Sequence, residues 1–270
     1  YLYNGSLVTS TGTGTIKLDG TAGQNGAAGV RLYGSDAANS SRSVTVQSHS
    51  GAITIEGKGG TGGARGISFA AADGSGSAGR VLSTGNAAII LEGVGGAGAS
   101  NPAAIEFATT NAPHRVGGPD ADGDITLIAD SITAQGTTQI QSSGHLLIQP
   151  RTSTRGIGIG DGATSSGTLY LGNAVLDSLQ DGFASITIGH AGGSGAVDVR
   201  SHTFKDNLVI RTPTGTGDIF LNGALATGSG SQTGTITLQA GRNVIGNTGS
   251  SVTTQAQAIV LNSNRHATGG

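Results

Sequence analysis

The chain has 270 residues, a net charge of −2, only 11% charged and 35% hydrophobic residues, and no Cys, Met or Trp. With a pI near 6.3 it lacks the basic footprint that draws nucleic acid. It has no apolar run of about 20 residues to span a membrane, and the missing Cys excludes thiolate metal sites and cysteine nucleophiles.

Fifty glycines and few apolar residues fit a compact sphere poorly. The low charge is also wrong for a typical disordered tail. A solenoid resolves the tension, because its core is narrow and each coil buries only its inward residues. No signal peptide is visible, and with no Met residue 1 is not a translation start, so a processed chain or an internal piece of a larger one is expected. Zero Cys fits extracellular bacterial proteins that avoid disulfide handling.

Tyr1–Val8 alternates weakly and reads as an entry strand or a piece that meets a neighbouring molecule. From Gly14 to Leu127 one apolar–variable–apolar unit then returns. Ile16-Lys17-Leu18, Ile53-Thr54-Ile55, Ile89-Ile90-Leu91 and Ile125-Thr126-Leu127 step by 37, 36 and 36. Val30-Arg31-Leu32, Ile67-Ser68-Phe69 and Ile105-Glu106-Phe107 keep the same beat, as do Val44, Val81 and Val116. A shared period of this size signals a solenoid. The local alternation, with Ile, Val and Thr, is that of strands. Each glycine inside a helix would cost about 1 kcal/mol.

Three ladders stacking on themselves predict an all-β, single-stranded parallel β-helix (a β-solenoid) with three sheets. One coil spans 36–37 residues here; two shorter coils per period would leave faces without an apolar strand. The Gly-rich stretches Gly20–Gly29, Gly57–Gly66 and Gly93–Gly98 read as corners, where glycine takes φ > 0 without strain.

After residue 127 the coils shorten. Ile125, Ile132 and Ile140 read as three faces, and Leu146-Leu147-Ile148 opens the next coil. Ile157-Gly158-Ile159 and Leu169-Tyr170-Leu171 continue it. Gly172–Phe183 breaks the rhythm as one helical turn or a looped-out corner. Ile186, Val197, Leu208 and Ile219, at steps of 11, read as three faces in 33 residues. Ile236, Val244, Val252 and Ile259 follow at 8, 8 and 7. The expectation is one continuous β-helix over 1–270 of roughly eight coils, with long Gly-rich coils over 1–127 and shorter ones over 128–270.

Neither end shows a capping segment, and Asn262–Gly270 is polar. Exposed strand edges need a cap or a continuation. The ends are therefore expected to meet copies of the chain, or flanking repeats of the same polypeptide.

Gly144-His-Leu-Leu-Ile-Gln-Pro150, Ile157-Gly-Ile-Gly160, Leu179-Gln-Asp-Gly-Phe183, Ser185-Ile-Thr-Ile-Gly189, Thr203-Phe-Lys-Asp-Asn-Leu208 and Gly234-Thr-Ile-Thr-Leu238 cover about a third of the chain. Residues 144–238 resemble the repeats of very large filamentous-haemagglutinin-type surface proteins of bacteria. That resemblance implies a secreted right-handed β-helix used in adhesion, biofilm or sheath structure. The family's secretion module carries Asn-Pro-Asn. Here only Asn101-Pro102 occurs, followed by alanines, so the module is expected to be absent.

Candidate chemistry is sparse. Asp120, Asp122 and Asp124 alternate in one loop, as Ca²⁺ ligands do, but Ile125 and Ser131 stand where an EF-hand needs Gly and Glu, so a solvated corner is expected. Gly158-Ile-Gly160-Asp161-Gly162 is similar to a calcium roll but is not repeated in tandem. His49, His114, His145, His190, His202 and His266 show no metal spacing and read as surface residues; His190 and His202 lie about one face apart. A lyase or hydrolase would gather acids, bases and aromatics on one face. The outward positions Lys17, Arg31, Thr45, Thr54, Ser68, Ile90, Glu106, Thr126, Thr187, Asp198 and Thr237 do not, so no enzyme, cofactor or metal is expected. Phe69 and Phe107 read as a core stack. Lys17, Thr54, Ile90 and Thr126 interrupt any flat threonine array of the ice-binding kind.

The reading is a structural subunit or segment of an extracellular or cell-surface filament or adhesin, stacking through uncapped β-helix ends. Surface glycans are a further partner class, and the alternative is a carbohydrate-binding or carbohydrate-cleaving β-helix.

Overall fold

A computed structural model describes residues 1–24, 26–35, 42–72, 76–97, 103–108, 111–135, 137–228 and 233–263. Gly98, Asn101-Pro102, His266 and most of Asn262–Gly270 lie outside them. The chain divides into two compact units, 1–144 with 177–180, and 145–176 with 181–270.

Unit 1 contains β1 (Leu2–Tyr3), β2 (Leu7–Ser10), β3 (Ile16–Thr21), β4 (Ala28–Tyr33) and β5 (Val44–Ser48). There follow β6 (Ile53–Lys58), β7 (Arg65–Ala70), β8 (Gly79–Ser83), β9 (Ile89–Val94) and β10 (Ile105–Phe107). It closes with β11 (His114–Gly117), β12 (Ile125–Ala129), β13 (Ile132–Ala134) and β14 (Thr138–Gln141). All neighbours pair in parallel, three apart in sequence order, which makes a parallel β-helix. Sheet A is β1-β4-β7-β10-β13, sheet B is β2-β5-β8-β11-β14, and sheet C holds β3, β6, β9 and β12.

The ladders pair as the period predicts. Ile16 lies beside Ile53, Ile53 beside Ile89, and Ile89 beside Ile125. Val30 lies beside Ile67 and Ile67 beside Ile105. The shorter coil follows too, with Ile132 beside Ile105 and Ile140 beside Val116. Alternate residues in β4, β5, β6 and β9 are buried, as period-2 strands around a core require. Phe69 and Phe107 stack in the core at 4.7 Å.

The third ladder is corrected by two residues. Val46, not Val44, pairs with Val81, and Val44 faces Gly79. A shift of two keeps every side chain on its face, so the alternation alone could not fix it. Gly79 suits the rung because an added Cβ there would press on Leu32 and the Phe69 ring.

Gly63, within the Gly57–Gly66 corner, takes the positive φ expected, but three other corner glycines serve a different purpose. Gly20, Gly57 and Gly93 stand in register at the end of sheet C. None has positive φ. Instead, a Cβ on each would fall closer than 3.0 Å to the carbonyl oxygen of Gly29, Gly66 or Ala104 in the next sheet's approach. The requirement is close backbone approach, repeated rung by rung.

Unit 2 contains β15 (His145–Gln149), β16 (Gly156–Ile159), β17 (Thr168–Leu171) and a single helical turn, α1 (Asn173–Leu176). The turn decides between the two readings of Gly172–Phe183. Next come β18 (Ser185–Ile188), β19 (Val197–Val199), β20 (His202–Phe204), β21 (Leu208–Thr212) and β22 (Ile219–Leu221). Last are β23 (Ala224–Thr227), β24 (Ile236–Ala240), β25 (Val244–Gly246), β26 (Ser251–Thr254) and β27 (Ile259–Asn262). Sheet D holds β15, β18, β21, β24 and β27; sheet E is β17-β16-β19-β22-β25; sheet F is β20-β23-β26. Among the described residues, sheet B of unit 1 stacks five strands and sheet D of unit 2 stacks five.

Two expectations change here. Ile186 pairs with Leu208, and Val197 with Ile219, so the repeat is 22 residues and not 33. The 11-residue step counted two faces. The third is β20, whose buried Phe204 sits outside the Ile/Val pattern. Leu169 also lies directly beside Ile157, so β17 returns to the same sheet and does not open a new face.

Gly57→Ala is expected to lower stability by about 2–4 kcal/mol, because backbone must move to admit the methyl group. Gly12→Ala, with nothing within 4 Å of its Cβ position, is expected to be near neutral. Urea unfolding of both variants checks the contrast.

Candidate functional site

Both units leave an apolar rung uncovered. In unit 1 the first strands β1, β2 and β3 form one edge of sheets A, B and C; in unit 2 the last strands β25, β26 and β27 form one edge of sheets E, F and D. Ile259 and Leu261 hold the inward register of Ile236 and Leu238. The inner pair is fully buried, yet Ile259 remains 43% and Leu261 53% exposed. At the unit 1 edge the inward Leu2 and Val8 are half-buried, while the exposed Tyr3 and Leu7 lie on outward rows. One further rung would cover Ile259 and Leu261, and a fully covered Ile or Leu is worth about 1.5–3 kcal/mol. An open parallel edge also presents unpaired N–H and C=O groups to an added strand.

Tyrosines gather beside the unit 1 edge. Tyr3 and Tyr33 stack at 5.8 Å, and the Arg31 guanidinium lies 4.2 Å from the Tyr33 ring centre and donates to the Tyr1 hydroxyl at 2.6 Å. Farther along sheet A, Glu106 accepts from Ser68 at 3.0 Å and pairs with Arg65 at 2.5 Å. Sequence spacing missed this gathering because Tyr1 and Tyr3 lie outside the periodic part.

Sheet C carries Lys17, Thr54, Ile90 and Thr126 in one outward row, so the threonines are interrupted as expected. The next outward row stacks Asp19, Glu56 and Glu92. The three-residue sequence units stopped short of it; the strands run to six residues. Lys17 joins Glu56 at 3.0 Å, and that bond and charge raise the lysine's pKa.

Asp120, Asp122 and Asp124 are all exposed, while Ala121 and Gly123 between them are buried. Asp122 is held by its N–H to Gly85 O and by Ser143 Oγ, which donates to its carboxylate at 2.7 Å. Among the described residues no group of three or more His, Asp or Glu is placed to hold a metal ion. In the Gly158–Gly162 stretch, Gly160 and Gly162 take positive φ. The Asp161 carboxylate accepts from Tyr170 OH and from Asn173 N–H, so it caps α1. Asp198 takes donors from Thr164 N–H, Thr164 Oγ1 and Asn222 Nδ2, and pairs with Arg200. Burial pushes this carboxyl up, but Asn222, Thr164 and Arg200 outweigh it and hold it below its usual value. A carboxylate so saturated anchors the loop after β16 to sheet E.

The histidines separate. His49 meets Thr84 O at 2.9 Å, His145 meets Ser185 Oγ at 2.8 Å, and His190 accepts from Gly192 N–H. His202 packs edge-on against Phe204, so His190 and His202 each have separate partners. His114 corrects the surface expectation, being fully buried. It lies two residues before the inward Val116, a parity the sequence displayed. Its Nδ1 accepts from Gly79 N–H at 3.1 Å, its Nε2 donates to Ala108 O at 3.0 Å, and Phe69 and Phe107 flank the ring. Burial drops its pKa to about 4.

Compared with family models, curated proteins and solved structures, the chain finds no match. No helix among the described residues is long and apolar enough to cross a membrane.

The His114 shift sets a pH window. Above pH 6.5 the ring is neutral in both states; below it only the unfolded chain takes a proton, until the folded ring follows near 4. Stability is therefore full above 6.5 and falls as pH drops toward 4, by about 3 kcal/mol. His114→Gln, whose amide offers the same two bonds, is expected to lose that fall. Urea midpoints of both proteins between pH 7 and 4 check it, since other titrating groups cancel in the difference.

Proposed function

We propose that this chain is a structural segment of an extracellular or cell-surface filament or adhesin, and that its open rungs add to those of another copy or of flanking repeats. The observation that carries this reading is the uncovered rung at β27, where inward Ile259 and Leu261 are exposed. The matching edge at β1–β3 supports it, because parallel rungs of the same pattern are complementary by construction. Absence of Cys, low charge and the resemblance over residues 144–238 support the surface location. The mechanism is mechanical: each added rung extends the backbone ladder and covers the one before it.

The test is concentration-dependent association. Light scattering and negative-stain images of the purified chain are expected to show assemblies that grow with concentration. The double variant Ile259→Lys/Leu261→Lys places charges on the open rung and is expected to abolish them. Dispersed single particles at high concentration for the unaltered chain would reject self-addition. Polysaccharide-cleavage assays are expected to be blank; turnover would favour the carbohydrate-cleaving alternative.

A further inference from the structure

The outer face of sheet B holds a pair of cations with no counter-charge among the described residues. Arg80 and Arg115 are direct register partners on neighbouring strands. Their outward row runs Leu7, Thr45, Arg80, Arg115, Gln139, and the next holds Thr9, Gln47, Leu82 and Gln141. Neither row contains a carboxylate. Four other outward cations have carboxylate partners: Lys17 has Glu56, Arg65 has Glu106, Arg200 has Asp198 and Arg242 has Asp218. Arg31 lies on Tyr33. The Nε of both Arg80 and Arg115 is buried with no hydrogen-bond partner among the described residues. Burial, and then the charge of Arg115, draw the Arg80 guanidinium below the usual arginine range.

Like charges one rung apart, about 4.8 Å, repel each other. Orphaned donors add a desolvation cost. An anion relieves both terms. The cleft beside Arg115 is lined by Gln139, Gln141, Gly118 and Pro119, so amide donors flank the charge. We propose that Arg80 and Arg115, with Gln139, form an oxyanion-binding site that takes a carboxylate, sulfate or phosphate group across two rungs. Guanidinium forks match such planar or tetrahedral oxygens by paired N–H donors. The chain's net charge of −2 makes general anion attraction a poor explanation for binding here.

The full chain is titrated with sodium sulfate, phosphate and acetate at constant ionic strength in chloride, and the arginine Nε–Hε signals are followed by NMR. Saturable shifts confined to Arg80 and Arg115 are expected. Saturation by acetate assigns a carboxylate ligand; saturation by sulfate or phosphate assigns a tetrahedral one. Arg115→Gln is expected to weaken binding about tenfold or more. Arg80→Lys, which keeps the charge and loses the fork, also weakens it and guards against a folding artefact. Lys58→Gln, on another face, leaves it unchanged. Shifts that stay linear in every anion, or that persist in Arg115→Gln, overturn the site.

Discussion

Each rung of this protein is held by the rung beside it, strand against strand in parallel register, and the rest of the structure follows from that contact. Ile16, Ile53, Ile89 and Ile125 lie in one line because their strands pair in parallel register, and their side chains stack rung on rung in the core shared with the facing sheets. A narrow core leaves no slack at the corners. The chain turns from sheet C toward sheet A where Gly20, Gly57 and Gly93 let a neighbouring carbonyl approach into the space of a Cβ. The glycine content that argued against a sphere is thus partly a packing requirement of the coil.

The same contact explains where chemistry can and cannot arise. Inward positions are committed to the core, and even His114 serves there as a neutral ring bonded at both nitrogens. Outward positions are read down a row, rung by rung, so charges that lie about 36 residues apart in sequence become neighbours. Asp19, Glu56 and Glu92 meet this way, and so do Arg80 and Arg115. Such a surface builds linear patterns of charge. A ladder also has no internal reason to stop, and the exposed Ile259 and Leu261 of unit 2 are the residues on which further strand addition would act.

The fold class was legible because Ile-x-Ile units repeat at a nearly fixed step, and that step is the length of one turn. What escaped did so for local reasons. A shift of two residues leaves faces unchanged, which hid the pairing of Val46 with Val81. The sheet F strand at His202–Phe204 turns an aromatic inward where Ile or Val marked the other faces, so 22 residues per turn passed for 33. His114 shares the inward parity of Val116, which the sequence displays, but its partners Gly79 N–H and Ala108 O emerge only from the packing of neighbouring rungs. The cation pair could not be read until Arg80 and Arg115 were known to share a row.

The register of neighbouring rungs is tested most directly by distance. With no native Cys, spin labels can be placed at Thr54→Cys and Thr126→Cys, outward positions two rungs apart, where about 10 Å is expected. Strong dipolar broadening in the doubly labelled protein, absent from either single label, is the predicted result. A double-label spectrum equal to the sum of the singles would contradict stacked rungs, and with them the site and the role argued from their edges.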